Sequence, residues 1–225
     1  MNRKIILSAS LICADLLNLE RDLRILSQKG FDYIHFDMMD GHFVPRLGLG
    51  TFFLEQVVKK QPIPVDVHLM VSDPTRYIGE IAEAGASIIT FHYESGKDIY
   101  QVIERIKKYN IKAGIALRPF TPFSLIVPFI DYLDLVLLMA YSPGTRGQKP
   151  IANFLGRIKE LRELLIERDR ENIDIAVDGG VSEDKLQIFK NNGANFFIFG
   201  TSGLFMPGIP LETQIDKIRK ILHIE

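Results

Sequence analysis

Residues 65–93 read VDVHLMVSDPTRYIGEIAEAGASIITFHY. The first seven, 65–71, are rich in β-branched and apolar residues, as a strand buried on both faces requires. Residues 75–86 carry apolar and charged residues at helical spacing. They close on Gly85, the residue type that relieves a left-handed helix end. A second apolar run, 87–93, follows at once. Strand, helix, glycine and strand within 29 residues form a βα repeat with a short return turn.

The same alternation extends in both directions. Further apolar runs occupy 4–10, 31–37, 112–118, 133–141, 173–178 and 195–200, giving eight with the two above. Helical patterns fill 14–30, 97–110 and 183–194, and Gly30 and Gly193 repeat the helix-ending role. Eight βα units without an internal linker favour a single closed (β/α)8 TIM barrel spanning 1–225. An open doubly wound sheet is the runner-up. It would usually place a glycine-rich dinucleotide loop after the first strand, where this chain has LICADLL.

Composition narrows the function. The chain has 225 residues, 47% hydrophobic, with 27 basic and 28 acidic side chains. That suits one large core and gives no general electrostatic ground for nucleic-acid or anionic-membrane binding. The single cysteine, Cys13, excludes an internal disulfide and a multi-cysteine metal site. It points to a reducing, cytoplasmic setting and reads as a small buried apolar residue. The basic start MNRKIILSASLICA imitates a short signal peptide, but Ser8 and Ser10 interrupt it and a first strand explains it better. Residues 123–141 have the length of a membrane span. Pro128, Asp131 and Asp134 divide them into a helix end, a turn and a strand.

Catalytic residues of a parallel barrel lie at the carboxyl ends of its strands. There the sequence offers Ser8 and Ser10, His35 and Asp37, His68, His92 and Glu94, and Asp178. Residues two apart on a strand share a face. His35 and Asp37 therefore point together, with Met39 following, and Asp66, His68 and Met70 share another face. If both faces look into the mouth, His35, Asp37, His68 and Asp178 converge. Such a set suits Zn2+, Fe2+, Co2+ or Mn2+ better than Mg2+ or Ca2+. Spacing alone leaves this open against an ordinary polar barrel mouth. A second signal comes from Asp178-Gly179-Gly180 and Gly200-Thr201-Ser202, at the ends of the last two strands. Barrel phosphate sites form from these two loops, where glycine lets the backbone approach an anion.

The stretches HFDMMDGHFVP (35–45), VDVHLMV (65–71), PGTRGQ (143–148), VDGGVS (177–182) and GTSGLF (200–205) resemble the ribulose-phosphate 3-epimerase family. The likeness runs in order through the whole chain, and GTFF (50–53) with GTSGLF also resembles the allulose-6-phosphate branch. It implies a ribulose-phosphate-binding (β/α)8 barrel, an isomerase of the racemase and epimerase class, inverting C3 of a 2-ketose phosphate. D-ribulose 5-phosphate is the first expectation and D-allulose 6-phosphate the alternative. The resemblance further implies one divalent metal, zinc first, on His35, Asp37, His68 and Asp178, with Asp37 and Asp178 as the acid–base pair. Ser8 and His68 would contact substrate. Met39, Met70 and Met139 would lie by the reacting centre. Gly179, Gly180, Gly200 and Thr201 would hold the phosphate, and Gly144, Thr145, Arg146 and Gly147 would cover it.

The chain departs from the family pattern at Ser142-Pro143-Gly144-Thr145-Arg146-Gly147, at Arg46 and at Arg118. These changes spare the proposed ligands and both acids. The expected partners are a ketose phosphate and further copies of the chain, with no nucleic acid and no membrane. Rival readings are an aldol or decarboxylating phosphate barrel, which would need a lysine in the mouth, and a non-catalytic sugar-phosphate sensor.

Overall fold

The computed structural model describes residues 3–145 and 150–224. Eight parallel strands close on themselves in sequence order: β1 Ile6–Ser10, β2 Tyr33–Met39, β3 Val65–Met70, β4 Ile88–His92, β5 Lys112–Leu117, β6 Leu135–Met139, β7 Asp174–Asp178 and β8 Phe196–Phe199. The chain is a (β/α)8 TIM barrel, as the repeat predicts. The helices are α1 Leu19–Gln28, α2 Thr51–Lys60, α3 Ile78–Glu83, α4 Ile99–Lys107, α5 Phe154–Glu167, α6 Glu183–Asn191 and α7 Leu211–Leu222. Gly30, Gly85 and Gly193 follow α1, α3 and α6 with φ of +71°, +98° and +108°, the left-handed turn that glycine adopts without strain.

Strand alternation sorts the core into two bodies. Outward residues such as Phe36, Val67, Phe91, Ile115, Val136, Val177 and Phe197 pack under the helices. α4 covers them with Ile99, Val102, Ile103 and Ile106, the i, i+3, i+4, i+7 stripe of an amphipathic helix. Its N-cap Asp98 accepts the Gln101 amide at 3.1 Å, satisfying one orphan donor of the helix start. Inward residues form a separate cluster of Ile6, Ile88, Ala116, Leu135, Leu137, Met139, Ala176, Phe196 and Ile198. With both faces buried, the strands read as nearly continuous apolar runs.

The interior is unevenly divided. Ser8, Ser10, His35, Asp37, Asp66, His68, Thr90 and His92, all buried, belong to β1–β4. The buried inward residues of β5–β8 are almost all apolar, and Asp178 stands at their carboxyl end. The crossover from β5 to β6 falls where the sequence reads as a helix end and a turn before the strand. It uses two 3-10 turns, Phe123–Leu125 and Val127–Tyr132, with Pro128 in the first turn of the second. Among the described residues no helix is long and apolar enough to cross a membrane.

Candidate active site

The parallel register brings the proposed ligands together. His35 pairs with Asp66 and Asp37 with His68 across β2 and β3, while Met139 pairs with Asp178 across β6 and β7. Ligand-type atoms of His35, Asp37, His68 and Asp178 lie within 4.8 Å of one another. His35 Nε2 and His68 Nδ1 face the Asp37 Oδ1 oxygen at 3.3 and 3.4 Å. Neither nitrogen has a hydrogen-bond partner, although both are buried. Two orphaned imidazole nitrogens, aimed at one point beside two carboxylates, fit the donor set of a borderline divalent cation.

The far side of each imidazole is tied down. His35 Nδ1 bonds Asp66 Oδ1, and Ser8 Oγ donates to Asp66 Oδ2 at 2.5 Å. His68 Nε2 meets His92 Nε2 at 3.0 Å, and His92 Nδ1 meets Glu94 Oε2 at 3.2 Å. Partner chemistry assigns the tautomers. Glu94 accepts from His92 Nδ1–H, so His92 Nε2 accepts from His68 Nε2–H. His68 Nδ1 is then left with a lone pair toward the cluster. Carboxylate–imidazole chains of this kind orient metal-binding histidines.

Glu94 is itself anchored by the Arg118 amide at 2.9 Å and by the Thr121 hydroxyl. Burial opposes its charge, but the His92, Thr121 and Arg118 bonds prevail and hold it down to about 2. Arg118 stacks its guanidinium over Phe43, 4.4 Å from the ring centroid, and Phe43 lies on His92.

The two acids sit in unlike surroundings. Burial pushes both carboxyls up. At Asp37 the His35 charge, with the neighbouring His68 imidazole, outweighs burial and holds the group well below the usual carboxylate range. Asp178 is raised, by burial and by the like charge of Asp37, against His35 and His68. Burial would lower His35, yet Asp66 and Asp37 raise it well above 6.5. Burial lowers His92 to about 4, which keeps it neutral at pH 7.

Several residues take positions that the sequence did not assign. Ser8, expected at the substrate, is fully buried and spends its hydroxyl on Asp66. Ser10, one inward position nearer the mouth, donates to Asp37 Oδ2 at 3.0 Å. Cys13 is not plain core. It is only partly buried, and its thiol faces Ser10 and the Thr201 amide. Asp40 accepts the His42 and Phe43 amides and the Ser72 amide, each within 2.8 Å, and so fixes the corner after β2. Gly48 lies against that strand end, where a Cβ would stand 2.7 Å from the Asp37 carbonyl.

Met70 and Met139 are buried near the mouth, and Met39, in register with Met70, is partly exposed. Gly144, with φ +70°, packs on Val44, and Thr145 bonds the Ser142 carbonyl. Arg146 and Gly147 lie outside the described residues. Gly179 and Gly180 have φ of +100° and +64°, and the Tyr141 ring lies beside Gly179. A Cβ at Gly200 would sit 3.2 Å from Cys13 Sγ, and one at Gly203 would sit 2.3 Å from the Val181 carbonyl oxygen. The loops after β7 and β8 therefore touch.

A closed (β/α)8 barrel whose mouth gathers two imidazoles and two carboxylates is the framework of an enzyme that moves protons on a small polar substrate. The chain belongs to the ribulose-phosphate 3 epimerase family, whose model matches residues 6–205. It is 39% identical over 193 residues to ribulose-phosphate 3-epimerase of Bacillus subtilis (strain 168), covering 86% of this chain and 89% of that one. It is 38% identical over 221 residues to ribulose-phosphate 3-epimerase of Buchnera aphidicola subsp. Acyrthosiphon pisum (strain APS), covering 98% and 96%. The chain is thus a carbohydrate epimerase of a sugar-phosphate family.

Among solved structures, orotidine 5'-phosphate decarboxylase from Pyrococcus horikoshii OT3 superposes with a TM-score of 0.65 at 16% identity, over 96% of this chain and 99% of that one. KGPDC from Streptococcus mutans gives a TM-score of 0.71 at 17% identity, over 97% and 99%. At that identity the likeness is one of fold.

Proposed function

We propose that residues 1–225 work as one barrel that interconverts D-ribulose 5-phosphate and D-xylulose 5-phosphate by metal-dependent inversion at C3. The observation that carries this reading is the cluster of His35, Asp37, His68 and Asp178 within 4.8 Å. It stands in a chain 38% identical to a ribulose-phosphate 3-epimerase over almost its whole length.

The C3 hydrogen lies beside the C2 carbonyl, so its removal gives an enediolate whose charge needs stabilisation. His35, Asp37, His68 and Asp178 would hold the cation. Bound Zn2+, with Fe2+, Mn2+ or Co2+ as alternatives, supplies Lewis-acid stabilisation of that charge. Asp37, ionised and steadied by Ser10, takes the C3 proton. Asp178, raised and so able to start protonated, returns one to the opposite face. In the reverse direction the two exchange tasks. Met39, Met70 and Met139 offer a soft apolar surface beside the planar intermediate.

The phosphate lies against Gly179, Gly180, Gly200 and Thr201, with the 144–147 loop over the substrate. A cytoplasmic location and self-association complete the proposal. Exposed Leu17, Leu47, Phe52 and Phe120 in or beside the loops at the mouth support the latter.

The test is a panel of ketose phosphates in deuterated water with metal-stripped and metal-reloaded protein. Deuterium at C3 of D-ribulose 5-phosphate, only after reloading, is the expected result. Exchange confined to D-allulose 6-phosphate moves the substrate assignment. No exchange with any member refutes the reaction.

A further inference from the structure

The site described so far gathers Asp37, Asp66 and Asp178 with His35, His68 and the cation that the four ligands would hold, and none of these groups is assigned to the substrate phosphate. A substrate phosphate brings about 1.5 to 2 negative charges at neutral pH. A cation should face the phosphate loops, and the sequence motifs assign none there outside 144–147. Lys185 is the third residue of α6, which starts at Glu183. Side chains in a first helical turn lean back toward the helix start. The Lys185 ammonium accordingly returns to the loop after β7, where Nζ donates to the Gly180 carbonyl at 3.5 Å. It lies 3.7 Å from where a Gly180 Cβ would stand, with the Pro150 ring 3.5 Å from the same point.

Two further observations make this ammonium available. No carboxylate of the described residues lies within 4.0 Å of it. The adjacent Asp184 carboxylate is engaged by the Ser182 hydroxyl at 2.5 Å. An ammonium has three donors, and one long bond to a carbonyl leaves two to aim at a ligand in front of the glycine pair. The lysine is partly buried, so its charge is screened less than that of a surface lysine.

We infer that Lys185 is a substrate-binding residue, its ammonium contacting the phosphate of the ketose phosphate in front of Gly179-Gly180. This rests on the reading that the phosphate sits between the loops after β7 and β8. It gives this chain a charged phosphate contact where glycine loops alone would offer backbone amides.

Lys185→Met should raise KM for D-ribulose 5-phosphate on the order of ten- to a hundredfold, the loss of one charge-assisted bond, with a much smaller change in kcat. Lys185→Arg should restore most of the loss. Inorganic phosphate, used as a competitive inhibitor, should weaken in parallel with KM in Lys185→Met. Gly200→Val crowds the neighbouring loop and tests the phosphate position itself. Unchanged KM and phosphate inhibition in Lys185→Met, with both impaired in Gly200→Val, overturns the role of Lys185 and leaves the phosphate site standing. No change in either variant overturns the phosphate site and the inference with it.

Discussion

Asp66→Asn removes a charge from the site while keeping its shape. Asp66 is buried and holds His35 Nδ1 with one oxygen and the Ser8 hydroxyl with the other. An amide oxygen still accepts from His35, and the Ser8 hydroxyl rotates to accept from the amide nitrogen. The imidazole stays in place but loses the carboxylate behind it. Changes to such outer partners lower metal affinity by about ten- to a hundredfold, roughly 1.4 to 2.7 kcal/mol.

The proton balance changes as well. In the unaltered protein His35 titrates well above 6.5, with Asp66 the first of the charges that raise it against burial. A cation taking Nε2 must therefore displace a proton at neutral pH, and apparent affinity should fall about tenfold per pH unit of acidification. Without Asp66 only Asp37 is left to oppose burial, so the imidazole shifts back down and less of that proton remains to be displaced at pH 7. The pH dependence of Asp66→Asn should flatten, so the two proteins differ most in alkaline buffer. Competition of Zn2+ between each protein and a chromophoric chelator, between about pH 6 and 8, reads both quantities. Equal affinities with equal slopes would refute the proposed coupling of Asp66, His35 and metal.

Asp37→Asn and Asp178→Asn should each lower kcat by about a thousandfold or more with little change in melting temperature. Near-normal turnover in either purified variant removes the two-acid scheme. Gly203→Ala places a methyl 2.3 Å from the Val181 carbonyl oxygen and should cost about 1 to 3 kcal/mol in urea unfolding. Gly200→Ala meets only the Cys13 sulfur at 3.2 Å and serves as the milder comparison.

Much of the barrel was legible because its period is simple. Apolar runs and amphipathic stripes mark the repeat, three glycines mark three of its returns, and alternation along β2 and β3 places His35 with Asp37 and Asp66 with His68. Alternation gives a side chain's face but not its depth. It therefore offers Ser8 and Ser10 alike, the resemblance points to Ser8, and the structure bonds Ser8 to Asp66 and Ser10 to Asp37. Alternation also gives no register between strands. The pairing of His35 with Asp66, and the chain from His68 through His92 to Glu94, depend on how far each strand slides past the next as the barrel closes. Cys13 looked like core because its neighbours in sequence are apolar. Its exposure comes from the short turn at Leu11–Cys13, which carries it toward the loop after β8.

The uneven interior has a consequence for how such a chain can diverge. Three of the four proposed ligands, with the partners that orient them, fall between residues 8 and 94, whereas the apolar lining of β5–β8, Asp178 and the glycine loops after β7 and β8 fall between 114 and 204. On the proposed mechanism the earlier half thus carries Asp37 and the network that orients the ligands, while the later half adds the second acid and most of the surface that would meet the sugar. Mutations in the later half that spare Asp178 should alter the accepted sugar while the earlier half keeps its part of the chemistry, which makes the two halves natural units for recombination between relatives.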